Sequence, residues 1–147
     1  MANYRKLRVW ETAHRLVLDI YAATERFPPA ERFGLVPQLR RTAVSIPSNI
    51  AEGCGRRSDG ELVRFIAIAH ASALELEYQL LLSRDLGYLG SDQHSTLSQA
   101  VAETGRMLNG LSRRVSKTRT TSNPGERRSS ANGNKRAAGG GPRITTA

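Results

Sequence analysis

Apolar residues recur along most of this chain at alternating spacings of three and four, the period of a helix that buries one face. Between Val9 and about Phe27 they fall at 10, 13, 17, 20, 24 and 27, with Thr24 the one polar member. Leu16 and Tyr21 widen the stripe, and Arg26 in the last turn suits the helix dipole. Pro28 and Pro29 end this helix, because a proline disfavours helical geometry in the residue before it.

A loop over 28–34 leads to a second helix starting near Leu35, with Pro37 tolerated in its first turn. Its seam is Val36, Leu39, Ala43, Ile46 and Ile50, and it keeps phase across Pro47. One helix kinked near 43–47 is therefore expected in place of two short ones. Gly53-Cys54-Gly55 supplies the stop. The third helix has the clearest start. Ser58 and Glu61 form a capping box, in which the serine oxygen serves the N3 amide and the glutamate reaches back to the cap. It runs to about Leu86, with Gly87 as exit, along a seam at 62, 66, 69, 73, 76 and 80. Val63, Phe65, Ala67, Ile68, Leu74, Leu81 and Leu82 fall outside that seam, so a second face is expected to be buried, in the bundle or against another subunit.

The fourth helix starts near Ser91 or Asp92 and follows Leu97, Val101, Thr104, Leu108, Leu111 and Val115. Gly105 and Gly110 each weaken it by roughly 1 kcal/mol relative to Ala. From about Thr118 the composition turns to Gly, Ser, Asn, Thr and Arg, with little to bury. No strand-period segment and no convincing repeat stand out. The expected fold is all-α: an antiparallel up-and-down four-helix bundle over residues 1–117, followed by a disordered basic tail over 118–147.

Charge changes the picture only once it is divided. Of the formal +9, residues 113–147 contribute nine Lys/Arg against Glu126 alone, while residues 1–112 hold thirteen basic and twelve acidic residues. The high pI thus reads as a property of the tail, and net charge does not by itself make the folded part a nucleic-acid binder. The single Cys54 has no internal partner, no stretch resembles a secretion signal, and no run of about 20 apolar residues is present. These features predict a cytoplasmic protein that does not span a membrane.

Candidate chemistry is sparse. His14, His70 and His94 lie on three different helices, so a paired helical metal site is not expected. Ser45 lacks an identifiable base, and Cys54 lacks strong activation. With no phosphate loop or dinucleotide fingerprint either, neither an enzyme nor a cofactor is expected. Arg40 and Arg41 point about 100° apart on their helix, so at most one lies near the seam. They are read either as phosphate contacts or as partners of acids such as Glu31 and Glu52. Arg56 and Arg57 precede a helix N-terminus and are read as an anion site or as part of a simple glycine stop. Arg5, Lys6 and Arg8 would join such a surface if the bundle brings the N-terminal lead beside a loop. Ser45, Asn49 and Glu52 form a polar ridge, expected to bond a neighbouring helix or the carbonyl freed by Pro47. Trp10 is read as a core anchor, with base stacking as its functional alternative. The tail is read either as a soluble appendage or as a salt-sensitive, sequence-indifferent contact with nucleic acid, and it has no aromatic residue for stacking.

The segments NYRKLRVWETAHRLVLDIYAATERFP, ERFGLVPQLRRTAVSIPSNIAEGCGR and ELVRFIAIAHASALELEYQL followed by LGYL resemble the four-helix-bundle family that includes proteins encoded in intervening sequences of bacterial 23S ribosomal RNA genes. That family is related to accessory proteins of diversity-generating retroelements. The resemblance spans about residues 3–112, and QLRRTAVSIPSNIAEG is its most specific string. Ala71-Ser72 stands where the family often has Gly-Ser. The resemblance implies a ring-like homopentamer. For the retroelement relatives it also implies binding to RNA and to a reverse transcriptase through a basic surface. The expected function is a non-catalytic, homo-oligomeric bundle contacting RNA, ribosomal or retroelement-type, through Arg5, Lys6, Arg8, Arg40, Arg41, Arg56 and Arg57. The alternative is a protein-interaction scaffold for a reverse transcriptase or another enzyme, with RNA incidental.

Overall fold

A computed structural model describes residues 3–122. A 3₁₀ turn, Tyr4–Lys6, leads into α1 (Arg8–Thr24). A second 3₁₀ turn, Pro29–Glu31, leads into α2 (Leu35–Cys54), which is followed by α3 (Asp59–Asp85) and α4 (Ser91–Thr121). No strand occurs among the described residues. Each helix packs on its chain neighbours, and α1 closes the square against α4, so α1 and α3 sit on opposite corners of an antiparallel bundle.

The expected seams meet inside. Leu16, Ile20, Leu39, Ile46, Ile50, Ile66, Leu76, Leu80 and Leu108 are fully enclosed. Thr104 joins them because its hydroxyl donates to the Ala100 carbonyl at 2.8 Å, which satisfies the one polar group on the α4 seam. Pro47 is buried inside an unbroken α2, consistent with the seam keeping phase across it. The ridge beside it bonds within its own helix. Ser45 donates to the Thr42 carbonyl at 2.6 Å and Asn49 to the Ser45 carbonyl at 2.7 Å, so neither a neighbouring helix nor the Ala43 carbonyl is their partner.

Several boundaries differ from expectation, each for a local reason. α1 ends at Thr24, three residues before Phe27. The Phe27 amide donates to the Thr24 carbonyl in a tighter turn, and its buried ring packs on Tyr88 with centroids 5.3 Å apart. At the start of α2, Leu35 is buried and Val36 only half-buried, so the seam enters one residue earlier. Gly53 lies inside α2 as a point of close approach: a Cβ there would stand 2.9 Å from Phe65 Cβ and 3.0 Å from Leu62 Cδ1. The helix stops at Gly55, whose φ of −83° is ordinary.

Ser58 caps α3 by accepting the Glu61 amide at 3.2 Å, whereas Glu61 reaches back to the serine hydroxyl at 3.4 Å and not to the cap amide. The far end of α3 closes in a Schellman turn, with Gly87 at φ 80° and the amides of Gly87 and Tyr88 donating to the Arg84 and Ser83 carbonyls. α4 continues about a turn past residue 117, so residues 118–121, expected to be tail, are helical. The rest of the expected disordered tail lies outside the described residues. α3 is the one described helix long and apolar enough, by length and composition, to cross a bilayer. Within the bundle that apolarity lets it face α2 and α4 at once.

Candidate nucleic-acid interface

Antiparallel packing gathers four separate pieces of sequence at one end of the bundle. These are the N-terminal 3₁₀ turn and the start of α1, the α2–α3 turn, the start of α3 and the last turns of α4. The 3₁₀ turn rests on α1 and α2. Arg119 near the end of α4 reaches α3, its guanidinium lying 3.4 Å from where a Cβ of Gly60 would stand. This end carries Arg5, Lys6, Arg8, Arg56, Arg57, Arg64, Arg113, Arg114, Lys117 and Arg119 against Glu11, Glu52, Asp59 and Glu61. The remaining described residues hold seven Lys/Arg and eight Asp/Glu. The described part is thus divided into a pole of about +6 and a body of about −1.

A groove of about 450 Å³ opens on the side of the pole, between the N-terminal lead and α4. Lys6, Arg8, Arg106 and Arg114 ring it, and Leu7, Val9, Met107 and Leu111 floor it. From sequence Arg106 is not singled out, and Arg114 is read only as a cation suiting the C-terminal end of the fourth helix. Their spacing of eight, a little over two helical turns, points nowhere until α1 is known to pack beside α4.

The predicted arginines separate into two groups. Arg5, Lys6, Arg8, Arg56 and Arg57 come together at the pole and are exposed. Arg56 pairs with Glu52 and lies over the Phe65 ring at 4.8 Å, so its charge is partly committed. Arg40 and Arg41 lie toward the other end. Arg40 is bound into the fold: its Nε donates to Thr24 Oγ1 at 2.9 Å, Nη2 donates to the Tyr21 carbonyl at 3.4 Å, and the guanidinium covers the Tyr21 ring at 4.5 Å. Its acidic neighbour is Glu25, at 4.0 Å, in place of the Glu31 or Glu52 considered from sequence. It therefore closes the C-terminal end of α1, where carbonyls lack helix partners. Arg41 faces outward and is exposed.

Trp10 is half-buried, not enclosed. Its indole stacks on the His14 ring with centroids 5.0 Å apart at 9°, and Tyr4 meets it edge-on at 5.1 Å. Cys54 is buried and its thiol pKa is pushed up by that burial, which makes it a poor nucleophile. Glu11 and His14 stand three apart on α1, but Glu11 pairs with Arg15. Among the described residues no group of three or more His, Cys, Asp or Glu is arranged to hold a metal.

The family model for 23S rRNA-intervening sequence proteins matches residues 5–110. The chain belongs to that family. A solved structure from Bacteroides thetaiotaomicron, described as a protein with unknown function from the S23 ribosomal protein family, shares the fold. It is 23% identical, covers 70% of this chain and 96% of its own, and superposes with a TM-score of 0.64. No curated protein matches the chain. The family match ends at residue 110, before the last turns of α4 that carry four of the pole's cations.

Proposed function

We propose that this protein is a non-catalytic, cytoplasmic bundle that contacts RNA with its basic pole and acts as a homo-oligomer. The segregation of charge carries the reading: about +6 at one end, about −1 over the rest. A polyanion is held by several cations on one surface, each releasing counterions, and ten Lys/Arg at one end supply them. Arg5, Lys6, Arg8 and Arg57 are the phosphate contacts from the N-terminal part, and Arg113, Arg114, Lys117 and Arg119 those from α4. Arg40 and Arg41 are not assigned to the contact. Beyond the described residues the sequence holds Arg127, Arg128, Lys135, Arg136 and Arg143.

The apolar face left on α3 supports the oligomer. Ala67, Ala71, Leu74, Tyr78 and Leu81 follow one another at four, three, four and three and are all exposed. A pentamer is the family expectation, and side-by-side copies would multiply a weak contact. The same face supports the second reading, a docking scaffold for a reverse transcriptase or another enzyme. RNA binding of the full chain, compared with a variant neutralised at Arg57, Arg113, Arg114 and Lys117 at two salt concentrations, separates the two. Loss of binding with a flatter salt dependence supports the pole. Unchanged binding assigns the contact elsewhere, and absence of binding by either form favours the scaffold.

A further inference from the structure

Beside the pole, α1 and α2 enclose a second groove, of about 350 Å³, lined by Tyr4, Trp10 and His14 on one side and Val44, Pro47 and Ala51 on the other. This size falls at the low end of small-ligand clefts, about 300–1,000 Å³. One wall is aromatic and continuous. Arg5 lies over the Tyr4 ring at 5.8 Å, Tyr4 meets Trp10 at 5.1 Å, and Trp10 stacks on His14 at 5.0 Å. The other wall is aliphatic and stiffened by a proline ring, and exposed Ser48 lies at the rim. At its Tyr4 end stands the exposed cation Arg5, whereas Lys6 and Arg8 line the groove on the α4 side. A flat apolar slot beside phosphate-seeking cations is the arrangement by which single strands are held: the backbone follows the charge and a base leaves the strand to stack.

We propose that this groove takes an unpaired nucleobase of single-stranded RNA, with a flanking phosphate on Arg5. The proposal rests on RNA contact at the pole and adds to it a preference for single strands. A duplex keeps its bases stacked internally and offers the slot nothing, whereas the cations of the pole serve duplex and single strand alike. Charge complementarity selects this occupant over a neutral peptide, because Arg5 stands over the Tyr4 wall and no carboxylate is among the lining residues.

Trp10 is the only tryptophan in the chain, so its emission reports directly on the slot. The full-length protein is titrated with a short oligoadenylate, an RNA duplex of equal length and inorganic polyphosphate, following Trp10 emission and, separately, binding by sedimentation. Quenching by oligoadenylate alone, with all three polyanions bound, is the expected result. Binding of oligoadenylate without a change in Trp10 emission overturns the slot and leaves the pole intact. Binding of none of the three overturns the RNA reading as a whole. Ser48→Phe, on an exposed position at the rim, fills the groove without touching the core. It is expected to abolish the quench and weaken the single strand about tenfold while sparing the duplex. A folded Ser48→Phe protein with unchanged single-strand affinity overturns the proposal. So does Trp10 becoming shielded from acrylamide as protein concentration rises, which would make the groove a contact between copies.

Discussion

Glu31 holds Tyr88 from 57 residues away. Its Oε1 accepts the Tyr88 hydroxyl at 3.3 Å, while Oε2 accepts the Leu35 amide at 2.8 Å and so serves the first turn of α2. One carboxylate thereby fastens the α1–α2 loop, the start of α2 and the α3–α4 turn. The phenol of Tyr88 is pushed above its ordinary pKa by burial first, then by the charge of Glu31 and the hydrogen bond to it. A group that is harder to ionise folded than unfolded contributes stability in full below its unfolded pKa and loses it as pH rises through the folded one. Stability should therefore fall in the alkaline range, and Tyr88→Phe should flatten that fall. In Glu31→Gln the Tyr88 transition should move back toward the ordinary phenol, with burial as the remaining cause. Difference titration of tyrosinate absorbance against Tyr88→Phe reads this directly.

Gly53 should resist enlargement although it sits inside a helix, where alanine normally gains stability. A methyl at this point meets Phe65 Cβ, which cannot swing away as a side-chain tip would. Gly53→Ala is expected to cost about 1–3 kcal/mol by forcing α2 and α3 apart. Gly55→Ala, whose Cβ meets nothing closer than 3.4 Å, should be nearly neutral. Urea midpoints of the two variants provide the comparison.

Arg40→Ala should lower stability by about 1–2 kcal/mol, since it removes the cation from the Tyr21 face and leaves Thr24 Oγ1 without its donor. RNA affinity should not change. A variant that is fully stable but binds RNA poorly would return Arg40 to the interface.

Leu74→Glu or Tyr78→Glu should dissociate any oligomer without unfolding the protomer, because both side chains are exposed, at 57% and 62%. Light scattering should show the mass of one chain, and circular dichroism should stay helical. An unchanged mass would place the contact on another face.

The helices were legible because their seams depend only on local spacing, and the surplus apolar residues of α3 pointed to a second apolar face, of which Ile68, Leu74 and Leu81 stay exposed in the single chain. Arg40 was not legible as structural: its partners, Thr24 and the Tyr21 carbonyl, stand 16 and 19 residues back on another helix. The pole was hidden for a related reason. Divided along the sequence, Arg113, Arg114, Lys117 and Arg119 are tallied with the basic tail, although the first three fall at the end of the expected fourth helix. Folded, they are the last turns of α4 and stand beside Arg5, Lys6 and Arg8. Charge bookkeeping by position cannot show what antiparallel packing brings together. Trp10 was half legible: its seam position predicted the buried edge, and only the approach of α2 reveals the groove along its other side.

The division of charge between the two ends also bears on how copies in the proposed oligomer would meet. Neighbouring helix dipoles in an antiparallel bundle oppose one another, so side chains make most of the molecule's electric moment. Two copies aligned side by side in the same sense bring like poles together and repel, more strongly at low salt. A polyanion lying across the aligned poles removes that repulsion. By reciprocity, whatever factor the polyanion adds to association, association adds to the hold on the polyanion. Assembly and ligand binding are then one equilibrium read from two sides, with dissolved salt weakening the ligand's grip while easing the approach of copies.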